Sequence, residues 1–157
     1  MRDVAVIAWR VALLGALIVA VGFGAIVAAS IQGMALIPGG SIRDGYDRGL
    51  LPWMDVGSSL VPLGGLIATA GGLTAIWLGR AGWLVRVATI PVLLVVLFWI
   101  LLAATKMAPH SAIPDVPPSA SSLAAFVYSS PANTIIFLLI PAALVMILAA
   151  VARRRTA

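Results

Sequence analysis

The sequence is 157 residues long, 62% hydrophobic and 10% charged, with a net charge of +5 and a mean hydropathy of +1.15. Soluble domains carry about 25% charged residues, so most of this chain must be solvated by acyl chains rather than water. The absence of cysteine excludes a disulfide framework, a thiolate metal site and thiol redox chemistry.

About 20 apolar residues cross the roughly 30 Å hydrocarbon core of a bilayer. Windows of that length free of ionisable side chains fall at residues 11–31, 58–78, 87–105 and 132–152. The reading is a single domain covering residues 1–157, an all-α membrane protein with four transmembrane helices in a bundle. Arg2 and Arg10 ahead of an apolar run ending VAAS also have the form of a secretory signal, with cleavage near Ala29. That run is longer than the 7–15 residues or so of a signal core, which favours a retained span. Along it, Ala16, Ala20, Gly24 and Ala28 recur at every fourth position. Such a small-residue stripe lets another helix approach closely, and in lipid close packing is the main adhesive between helices.

Residues 39–55, GGSIRDGYDRGLLPWMD, form the most polar stretch of a first external loop at residues 32–57. Ser41 and Asp44 have capping-box spacing, which predicts a short helix over residues 42–48 ended by Gly49. On that helix Arg43 and Asp47, and Asp44 and Arg48, are four apart and can neutralise each other. Asp55 is left over, and Trp53 sits beside it at headgroup level. Calcium binding is disfavoured because the chain has no Glu and two arginines interrupt the aspartates. Zinc is disfavoured because His110 is the only histidine.

The second span carries Gly64, Ala68 and Gly72 on one face. It connects to the third through GRAGWLVR alone, which predicts an antiparallel hairpin. In the third span VLLVVLFWILL has no small residue, so it should face acyl chains or bulky neighbours. The second external loop, residues 106–131, holds five of the ten prolines, at 109, 114, 117, 118 and 131, and should be extended in its first part. Residues 122–128 are apolar enough for a short helix at the interface, and Ser130 with Pro131 makes a start for the fourth span. Pro62 and Pro91 fall in the first turns of their spans, whereas Pro141 falls near mid-span and should kink it.

Charge gives the orientation, because basic segments stay cytoplasmic. Arg2, Arg10, Arg80, Arg86, Arg153, Arg154 and Arg155 lie on one side with only Asp3; Arg43, Arg48 and Lys106 lie on the other with Asp44, Asp47, Asp55 and Asp115. Both termini are therefore expected in the cytoplasm. Trp9, Trp77 and Trp83 then fall at the inner boundary, and Trp53 and Trp99 near the outer one, as an interfacial aromatic belt requires.

No catalytic constellation emerges. In length and span number the chain resembles the lipoprotein signal peptidases, which use an aspartate pair with the distal acid in an Asn-x-x-Asp-like motif. That motif is missing, since Asp115 in IPDVPPSAS is the only acid of the second half. A two-histidine haem site fails on a lone loop histidine. An ion relay is disfavoured because the polar side chains of the spans are hydroxyls and one amide, and hydroxyls bonding back to their own helices account for most of them.

The expectation is a non-catalytic accessory subunit of a larger bacterial plasma-membrane complex, such as a multisubunit lipid transporter of MCE type or a respiratory complex. The bias of nine arginines to one lysine supports a high-GC bacterial source. Docking would use the small-residue faces, Ala16, Ala20, Gly24, Ala28, Gly64, Ala68 and Gly72, and the outer-loop residues Arg43, Asp44, Asp47, Arg48, Trp53 and Asp55. Membrane lipids are the other expected partners, with no nucleic acid, metal or cofactor. The competing expectation is a self-sufficient lipid carrier or lipid-modifying enzyme that uses the outer-loop carboxylates or His110.

Overall fold

A computed structural model describes residues 2–36, 51–106 and 122–154. Among them the chain is helical throughout, apart from short connections. The helices are α1 (Arg2–Leu36), α2 (Leu51–Leu78), α3 (Trp83–Lys106), α4 (Ser122–Ser129) and α5 (Pro131–Arg154). Four of them, all but α4, are long and apolar enough to cross a membrane.

Each long helix overruns its apolar window. With 35 residues α1 is about 52 Å long at 1.5 Å per residue, well beyond the hydrocarbon thickness. Extending a formed helix adds a hydrogen bond per residue, and no proline interrupts α1, since the first in the chain is Pro38. Two sequence expectations change as a result. Trp53 and Asp55 belong to the opening turns of α2 and not to a loop. Pro62 and Pro91 lie inside α2 and α3, not at their starts, so each deprives the carbonyl four residues earlier of its usual amide.

Across the molecule the order of neighbours is α1, α2, α5, α3, with α4 set against α2, α3 and the start of α5. The least apolar of the four long helices, α2, is the most enclosed, because it is packed on both sides. One core, at the α4 end, joins Val96, Trp99 and Ala103 of α3 to Phe126 of α4 and Leu138 of α5. The other joins Ile76 of α2 to Val145 and Ala149 of α5, with Trp9 of α1 and Val85 and Val92 of α3 around it. The Arg153 guanidinium lies over the Trp9 ring at 5.9 Å, tying the end of α5 to the start of α1.

The short helix expected near residues 122–128 is present as α4, and it buries Ala124 and Phe126 in the bundle. Phe126 meets Trp99 edge-on at 5.8 Å. Trp99 is only 2% exposed, so it is a core residue and not part of a headgroup belt. Trp53, Trp77 and Trp83 are exposed, whereas Trp9 is half-buried against the second core.

Candidate functional site

The seam between α1 and α2 is built from glycine and alanine. Ala8, Gly15, Gly22 and Ala29 are spaced by seven on α1, and Gly57, Gly64 and Gly71 are spaced by seven on α2. The helices run antiparallel, so each step of seven along one meets a step of seven along the other. A Cβ placed on Gly22 would lie 2.9 Å from the Gly57 carbonyl oxygen; on Gly64, 2.7 Å from the Gly15 carbonyl oxygen; on Gly71, 2.8 Å from the Ala8 carbonyl oxygen. Real carbons do not approach so closely, so these positions admit glycine alone at the present separation.

The sequence singled out a different stripe on α1. Ala16 is half-buried, while Ala20, Gly24 and Ala28 are exposed, and a Cβ on Gly24 would meet nothing within 4 Å. Among the described residues, then, Ala20, Gly24 and Ala28 face outward, and nothing covers Gly24. They form a shallow strip between larger exposed neighbours such as Leu17, Val21, Phe23 and Ile31. On α2 the singled-out residues do pack: Gly64 and Ala68 on α1, and Gly72 on α5, where Val145 Cγ1 lies 2.5 Å from the position of an added Cβ. Spacing of four does not reveal the period-seven stripe, although both helices carry it.

The mid-span proline of α5 acts through the turn before it. Residues Ile135–Leu139 form a π-helical segment, and the Ile140 amide donates to the Ile135 carbonyl, five residues back. Pro141 follows directly, has no amide, and its ring would crowd the carbonyl of Phe137 in a regular helix, so a widened turn relieves the clash. Ser130 precedes Pro131 as expected, but its side chain makes no cap bond. Two polar atoms near this end, Trp99 Nε1 and Thr134 Oγ1, are buried without a partner among the described residues. Other hydroxyls bond back along their helices: Ser30 to the Ile26 carbonyl, Thr69 to that of Gly65 and Thr74 to that of Ala70.

A groove of about 240 Å³ separates α2 from α3 next to their connection, lined by Leu73, Thr74, Trp77, Thr89, Ile90 and Leu93. These two helices, consecutive in sequence, make few contacts, and α5 takes the place that a tight hairpin partner would have. The Trp77 indole donates to Thr89 Oγ1 at 3.1 Å, and that hydroxyl donates to the Arg86 carbonyl at 2.6 Å. Arg86 Nη2 donates to the Gly79 carbonyl at 3.0 Å, while its Nε is buried with no partner among the described residues.

Arg43, Asp44, Asp47, Arg48, His110 and Asp115, with the helix expected over residues 42–48, lie outside the described residues. Of the remaining outer-loop candidates, Trp53 is exposed and Asp55 half-buried on the first turns of α2. Among the described residues no three His, Cys, Asp or Glu side chains are grouped to hold a metal ion.

Four long apolar helices around two small cores are the build of a multi-pass membrane protein, and that is the class the fold defines. No family model matches the sequence, and no curated protein or solved structure matches it.

Proposed function

We propose that this chain is a non-catalytic accessory subunit that packs laterally on a larger integral complex of a bacterial plasma membrane, both termini in the cytoplasm. The observation that carries the reading is the second small-residue strip of α1. Helix α1 already spends one glycine–alanine face on α2, yet it presents Ala20, Gly24 and Ala28 outward, with none of the described residues over Gly24. A partner helix can approach such a strip closely, whereas acyl chains gain little from it. Two classes of host suit an envelope subunit of this size, a multisubunit lipid transporter of MCE type and a respiratory complex. The outer segments bearing Arg43, Asp44, Asp47, Arg48, Trp53 and Asp55 would add contacts on the opposite side of the membrane from the termini.

The test is affinity purification of the tagged chain in mild detergent, alongside a variant with Ala20→Leu, Gly24→Leu and Ala28→Leu. The wild type should bring down a large membrane partner in fixed ratio, and the variant should fold and come down alone. A wild type that purifies alone, or a variant that keeps the partner, contradicts the proposal.

A further inference from the structure

We infer that the groove between α2 and α3 binds a membrane phospholipid with an anionic headgroup, its phosphate held by Arg86 and Arg80 and one acyl chain lying along Leu73, Ile90 and Leu93. This does not depend on the accessory-subunit reading. The groove lies near the α2–α3 connection and is lined by the exposed indole of Trp77, while the exposed Trp83 opens α3; such side chains settle at the depth of lipid headgroups. Inside it, Thr74, Trp77 and Thr89 have their hydrogen bonds met by the protein itself. An occupant therefore needs no polar groups along its length, and a hydrocarbon chain meets that condition.

Beside the groove, where Thr89 Oγ1 of its lining donates to the Arg86 carbonyl, the chemistry reverses. The guanidinium of Arg86 is held in place by its bond to the Gly79 carbonyl, and Arg80 follows that carbonyl directly in sequence. Arg86 is half-buried, and neither arginine forms an ion pair among the described residues. Arginine stays charged in a protein, and a partly desolvated charge without a counter-charge is costly. The bilayer supplies a counter-charge at this depth in the lipid phosphate, which the planar fork of arginine can grip with two bonds. Two cations without an acid between them favour a headgroup of net negative charge over a zwitterionic one.

The test is native mass spectrometry of the full chain from neutral detergent, with phosphatidylglycerol and phosphatidylcholine added in equal amounts. The wild type should retain one phosphatidylglycerol in preference. Arg86→Gln and Arg80→Gln should each cut that preference about fivefold, while Arg86→Lys keeps most of it. Leu93→Trp, which fills the groove and leaves the cations in place, should lower retention of both lipids. Equal retention of the two lipids by the wild type overturns the inference. So does an unchanged preference in the doubly substituted chain, or full retention by Leu93→Trp with its helical circular dichroism intact.

Discussion

Between α1 and α2 the backbones touch; between α3 and α5 they are held apart by large side chains. In the first seam Gly15, Gly22, Gly57, Gly64 and Gly71 bring main-chain atoms to within van der Waals contact over several turns. In the second, Phe98 meets Phe137 edge-on at 5.3 Å, and Trp99 and Leu138 are enclosed with Phe126 of α4. Both answer the same problem, since lipid tails are as apolar as leucine and burial alone does not join helices in a bilayer. The glycine seam gains its dispersion energy from backbone against backbone, with no side-chain entropy lost. The aromatic seam gains it from a few large groups, and so it can repack. The lesson is one of tolerance: a single methyl should matter in the first seam and a whole ring in the second.

Breaking the comparison should be easiest at Gly64. Gly64→Leu places a branched side chain where even a Cβ meets the Gly15 carbonyl oxygen and the Val19 amide nitrogen, both at 2.7 Å. Overpacking usually costs about 1–3 kcal/mol. A clash with backbone, which cannot rotate away, should exceed that range and separate α1 from α2, as read by proteolysis and thermal unfolding in detergent. Gly24→Leu, on the same pair of helices, should leave the unfolding midpoint unchanged.

In the aromatic seam, Trp99→Ala should cost about 3 kcal/mol, the low end for removal of a core aromatic, because the transfer from water to oil is missing in lipid. Trp99→Phe sharpens the point. It keeps a ring against Phe126 and removes an indole N–H that has no partner among the described residues, so denaturant titration should find it close to wild type. A loss as large as that of the alanine variant would show that the N–H has an acceptor.

The smallest effect is expected at Thr69, whose hydroxyl donates to the Gly65 carbonyl of its own helix at 2.8 Å. That carbonyl retains its helical amide, so Thr69→Val should shift stability by no more than about 0.5 kcal/mol.

How much of this was legible in the sequence follows from the physics of each signal. The four spans were visible because hydrocarbon thickness sets their length and charge is excluded from them. Their ends were not, because helices continue past the membrane wherever the backbone has no reason to stop; Trp53, Asp55, Pro62 and Pro91 were misplaced for that reason. Gly64, Ala68 and Gly72 were picked out and do pack within the bundle. On α1 two small-residue patterns coexist, and spacing alone does not rank them. The antiparallel partner does, since a period of seven on α1 has its counterpart on α2 at Gly57, Gly64 and Gly71, and a period of seven stays on one face of a gently supercoiled pair. The burial of Trp99 was hidden because it depends on α4 folding back over α3. The π-helical turn before Pro141 was foreseeable as a disturbance but not in its form.

The account rests on α1 having one face used within the chain and one left for a partner. Site-specific photo-crosslinking in intact membranes tests this most directly, with a benzophenone side chain placed at position 24 and, as a control, at position 97, which Leu97 occupies on the exposed side of α3. A discrete adduct with a larger protein from position 24, absent from position 97, is the predicted result. Lipid adducts alone at position 24, or the same protein adducts from both positions, would contradict it.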